Sequence, residues 1–156
     1  MICKRLGIGA ALAAGTLATT LAFAPGAAAV VPQTATITAD CGLYGGGGAT
    51  LEATQDGTAA TVTVTSSITA PLALAEDSIV STLTLAKAGG GTTTFTGTEN
   101  PATAAGESVT VGPLDGTVAA GDSLEAFGGS LEMVVFGITV TCTAEGPQSP
   151  GPFVFE

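Results

Sequence analysis

Residues 60–69 read Ala60-Thr61-Val62-Thr63-Val64-Thr65-Ser66-Ser67-Ile68-Thr69. Apolar and hydroxyl side chains alternate there with a period of two. Successive side chains of an extended chain point to opposite faces, so Val62 and Val64 share one face and Thr61, Thr63 and Thr65 the other. A helix would scatter both sets around its axis. The stretch is a strand with one apolar face, and the pattern recurs on both sides of it.

Upstream, Thr34, Thr36 and Thr38 alternate with Ala35, Ile37 and Ala39. Gly45 to Gly48 then reads as a loop, and Ala49 to Thr54 as a short strand closed by the Asp56-Gly57 turn signal. Downstream, Ile79 to Ala88 and Thr92 to Thr98 flank three glycines and read as a hairpin, with Leu83, Leu85 and Phe95 inward. Ser108 to Val111 is a short strand halted by Gly112-Pro113. Asp115-Gly116 and Gly121-Asp122 read as turns, and Leu124 to Phe127 as a strand ended by Gly128-Gly129. Leu131 to Thr143 reads as the longest strand, with Val134, Phe136, Ile138, Val140 and Cys142 on one face. The tail after Glu145 carries three prolines and then Phe153-Val154-Phe155, so it is either docked by its two rings or loose.

Strands at roughly 8–12-residue spacing, with no helix beyond the N-terminal stretch, imply a sandwich or a barrel. The expectation is an all-β domain over residues 30–146: an Ig-like, Greek-key antiparallel β-sandwich of about 7–9 strands, with a core of Val, Ile, Leu and Phe between two sheets. A Pro/Gly-rich C-terminal tail, 147–156, follows it.

Residues 1–29 read as a helical secretory signal peptide. Lys4 and Arg5 precede a weakly apolar run from Leu6 to Ala24, Pro25-Gly26 break it, and Ala27-Ala28-Ala29 supply the small residues of a cleavage site. The run is too poor in Leu, Ile, Val and Phe for a membrane span, so no membrane anchor is expected after cleavage. The expected location is outside the cell, either free or loosely associated with the cell wall.

Cleavage after Ala29 leaves one base, Lys87, against 13 carboxylates, a formal charge of 1 − 13 = −12, with no His, Arg or Trp. Phosphate contacts need cations, so nucleic acid is not an expected partner. Strong negative charge on a Thr-rich β-domain fits a soluble monomer. Cys3 leaves with the signal, and Cys41 and Cys142 remain. In an oxidising exterior two cysteines read as one disulfide.

The same composition tells against catalysis. Without His, no Ser–His or Cys–His pair can form. With one Lys, stabilisation of an oxyanion or phosphate by cations is poor. Asp56-Gly57-Thr58 and Asp115-Gly116-Thr117 reverse the order of an acid-protease motif and read as turns. No Cys/His zinc set and no EF-hand spacing occur. Glu76-Asp77 and Asp122 with Glu125 read as solvated loop charge. No enzyme, metal or cofactor is expected.

The early Cys41, the Thr/Val-alternating strands, the segment Ser108-Val109-Thr110-Val111-Gly112-Pro113-Leu114 and the closing Val140-Thr141-Cys142-Thr143 resemble the secreted Ig-like β-sandwich domains of actinobacteria, many of them uncharacterised. The chain departs from antibody-type domains in lacking a Trp and in the wide spacing of its cysteines. The resemblance implies a non-catalytic extracellular or cell-surface domain acting in adhesion, envelope structure or protein contact, with a protein or cell-envelope partner. In size, export and β-content the chain is also similar to the small acidic apoproteins that carry enediyne chromophores. Those typically have two disulfides, and this chain can form one. A carrier of that kind needs an apolar cleft, for which Phe95, Phe127 and Phe136 are the candidate ligand-binding residues.

Overall fold

The computed structural model describes residues 29–156. All of the expected signal peptide but its last residue lies outside them. Nine strands follow in order: β1 (Thr34–Asp40), β2 (Gly46–Asp56), β3 (Ala59–Thr69), β4 (Val80–Lys87), β5 (Thr92–Gly97), β6 (Ser108–Thr117), β7 (Ser123–Val135), β8 (Ile138–Ala144) and β9 (Phe153–Val154). A single 3-10 turn, Gly42–Tyr44, joins β1 to β2.

The strands run β4-β5-β6-β3-β2-β1-β8-β7, and β7 pairs back onto β4. Every pairing is antiparallel. The sheet therefore closes into an eight-stranded barrel, with β9 laid along β7. The all-β expectation holds, but the Ig-like sandwich of two open sheets is corrected: β7 bonded to β4 removes the free edges such a sandwich would keep.

The reason lies in residues that read as strand breakers. Gly112-Pro113 does not halt β6. Val62 pairs with Leu114 and Val64 with Val111, so two steps on β3 match three on β6, and the extra residue is a bulge. Gly128-Gly129 likewise does not end β7. Thr84 pairs with Ser130 and Ala86 with Glu125, so β7 loops out there and resumes. Bulges bend a strand and sharpen its twist, so these two long strands turn the corners that close a barrel. Glycine is required at 129, where a Cβ would lie 1.9 Å from the Thr84 carbonyl oxygen.

Two further expectations change. The run Leu131 to Thr143 is two strands, because Val135 pairs with Ile138 around a two-residue turn. Phe136 (φ 52°) and Gly137 (φ 76°) both take the left-handed region, as the tightest hairpin turns require. Gly46 to Gly48 belong to β2 rather than to a loop, opposite Asp40, Ala39 and Thr38. Asp56-Gly57 does turn the chain, with Asp56 paired to Ala59, whereas Asp115-Gly116 lies within β6.

The two ends of the barrel differ. The end holding Lys87, Thr117 and Ser123 is filled by Phe153, Phe155, Leu85, Leu114, Leu124 and Val118, all buried. The tail is docked there. Thr36 N–H donates to the Ser149 carbonyl and Val31 N–H to that of Val154, so the tail takes the place beside β1 that β8 has left. Gln148, 3% exposed, secures the crossing. Its Oε1 accepts from Ala126 N–H at 2.9 Å and its Nε2 donates to the Gly151 carbonyl.

Candidate functional site

The opposite end is hollow. A cavity of about 480 Å³ occupies it and opens at the surface. Its origin is legible in side-chain size. The inward positions at this end include Ala39, Gly47, Ala49, Ser66, Ala126 and Ser130, too small to meet across the barrel. Larger residues on the same inward faces, among them Leu51, Val64, Leu83, Leu131 and Met133, complete the wall.

Three segments frame the mouth. The first is the 3-10 turn after β1, which brings Tyr44 to the rim. The second is the loop 70–79, carrying Leu72 and Leu74. The third is the β7–β8 hairpin, with Phe136 at its tip and Ile138 beside it. Tyr44, Leu72, Phe136 and Ile138 are each at least half exposed, and Leu43 projects fully into solvent. Isolated apolar side chains on a surface need no explanation, but a cluster around an opening marks a binding site.

The loop 70–79 is held rather than free. Leu74 and Thr103 exchange backbone hydrogen bonds at 2.8 and 3.0 Å, and Ala70 is bonded to Glu107 and Gly106. Asn100, 3% exposed, saturates its side chain on this loop and its own. Its Oδ1 accepts from Ser78 and Ile79 N–H, and its Nδ2 donates to the carbonyls of Ala75 and Pro101. The sequence shows Asn100-Pro101 only as a loop signal, and the burial of an Asn side chain has no local signature.

The Cys41–Cys142 disulfide is present. Both cysteines lie on the cavity wall, at the seam where β1 and β8 share only the register pairs Ala39–Ala144 and Asp40–Thr143.

The three candidate rings are not brought together. Phe95 is fully buried against Gly116 in the core. Phe127 is half exposed on β7 and is not part of the cavity wall. Phe136 alone lines the mouth. The expected site rests on large rings, whereas small inward residues open the cavity. Small inward residues on β1 and β2, Ala39, Gly47 and Ala49, are a partial signal of it.

The wall has few polar atoms: the side chains of Tyr44, Ser66, Thr69, Ser130 and Thr143. Ser66 donates its hydroxyl to the Ile68 carbonyl. Among the described residues, no three His, Cys, Asp or Glu side chains converge as a metal set. Of the acids that read as loop charge, two have protein partners: Asp122 pairs with Lys87 at 3.0 Å, and Glu125 accepts from Gln148 N–H. No family model, curated protein or solved structure matches this chain. Among the described residues no helix is long and apolar enough to cross a membrane.

Proposed function

We propose that this protein is an exported, non-catalytic carrier that holds a small apolar molecule in the hollow end of its barrel. One observation carries the reading: an open, almost wholly apolar cavity of about 480 Å³ inside a closed sheet. That volume falls within the roughly 300–1,000 Å³ of small-molecule sites, which are mainly apolar with a few polar groups. A domain acting only through its outer surface gains nothing from a hollow, because unfilled wall atoms forgo dispersion contacts. The N-terminal pattern of residues 1–29 and the disulfide support export.

Native mass spectrometry of protein purified from its producing cells, with N-phenyl-1-naphthylamine titration of the delipidated protein, tests this. A non-covalent added mass, and saturable probe fluorescence that the extracted compound reverses, are expected. A bare mass together with no probe binding would refute the carrier.

A further inference from the structure

The cavity and the distribution of charge together restrict the ligand. Every formal charge on the segments that form the mouth is negative. Glu76 and Asp77 lie on the loop that carries Leu72 and Leu74, and Asp40 and Glu145 adjoin the wall residues Cys41 and Ala144, although none of these carboxylates lines the cavity itself. The only base from Ala29 onward is Lys87, and it stands at the other end of the barrel. It is four residues beyond Leu83 on β4, about 13 Å at the rise of a strand, and is bonded to both carboxylate oxygens of Asp122. Between it and the cavity lie Leu85, Leu124 and Phe95, each fully buried.

An amphiphile that enters tail first leaves its head at this mouth. A carboxylate or phosphate head would meet no cation, only a low-dielectric wall, with the formal charges on the neighbouring segments all negative. Juxtaposed like charges disfavour a complex, and an anion drawn inward loses hydration that nothing replaces. A hydroxyl, ester or ketone head avoids both costs and can bond to Tyr44, Thr69 or Thr143 at the rim. An ammonium head would be attracted by the field. We infer that the cavity takes a hydrophobe with a neutral or cationic head and discriminates against anionic amphiphiles such as free fatty acids. This rests on the carrier reading above.

The test is displacement of bound N-phenyl-1-naphthylamine from the purified protein at pH 7.5 by 1-decanol, decylamine and decanoate. Decanol and decylamine are expected to displace the probe at concentrations at least about tenfold lower than decanoate, a difference of about 1.4 kcal/mol. Tyr44→Lys, at an exposed rim position, is expected to improve decanoate severalfold relative to decanol. Decanoate matching decanol on the wild type overturns the inference while leaving the carrier intact. A Tyr44→Lys variant with an unaltered decanoate-to-decanol ratio also overturns it. Failure of the probe to bind at all removes the carrier reading and the inference with it.

Discussion

Replacing both Cys41 and Cys142 by Ala is expected to cost the fold about 4–5 kcal/mol. The bond joins residues 101 apart in sequence. The chain-entropy relation for a loop of that length gives about 16 cal/mol/K, or about 4.7 kcal/mol at 25 °C, by which the cross-link disfavours the unfolded chain. The native side adds a local reason, because only two register pairs otherwise join β1 to β8. Unfolding entropy is about 2.1 cal/mol/K per residue, or about 0.27 kcal/mol/K over the residues from Ala29 onward, so the melting temperature should fall by roughly 17 °C. The assay is urea unfolding followed by circular dichroism, because the chain has no Trp and one Tyr. The slope with urea should rise, since a denatured chain without the cross-link exposes more surface. A midpoint close to wild type, with a loss below about 1 kcal/mol, would show that the disulfide is not what holds this seam.

Ala49→Phe places a ring in the hollow. It should abolish probe binding while leaving thermal unfolding within a few degrees of wild type, and a variant that binds normally would show that the probe sits elsewhere. Gly116→Ala should destabilise by about 1–3 kcal/mol in urea, because its Cβ would lie 2.4 Å from the Phe95 ring. Phe155→Ala should cost about 3–5 kcal/mol by the same measure, since that ring is fully buried. Asp122 is held below the ordinary aspartate value by the Ala119 N–H bonded to it, against a smaller opposing effect of burial, with Lys87 adding to the lowering. A lowered folded pKa stabilises at pH above the ordinary 3.8 and loses that contribution as pH falls through the folded value. Asp122→Asn should therefore be less stable than wild type at pH 7, with the gap closing below about pH 4 in acid titrations of stability.

What the sequence could reveal depended on whether the deciding interaction was local. Period-two alternation placed β1, β3, β4 and β5 closely, because a half-buried strand writes its two faces into successive residues. Closure was not legible. A Gly-Pro or Gly-Gly pair ends one strand and bends another with the same residues, and only the partner strand decides which. Phe136-Gly137 hid a hairpin inside an unbroken apolar run, since Val134 and Ile138 suit either one strand or two. The cavity is hidden in the sequence for a related reason. Ala39, Gly47 and Ala49 are ordinary strand residues singly, and become a hollow only when the barrel sets them opposite other small ones.

The seam along β1 also has a consequence in time. Its partners arrive late: Thr36 waits for Ser149, 113 residues on, and Cys41 for Cys142. Until then a nascent chain can form the hairpins of β1 with β2, of β2 with β3 and of β4 with β5, but the far edge of β1 stays unpaired. Such edges invite pairing with other chains, and contacts this distant in sequence slow folding. Completion of the barrel is therefore a late event, and a half-made molecule is the state most exposed to aggregation and to helper proteins that bind open strands.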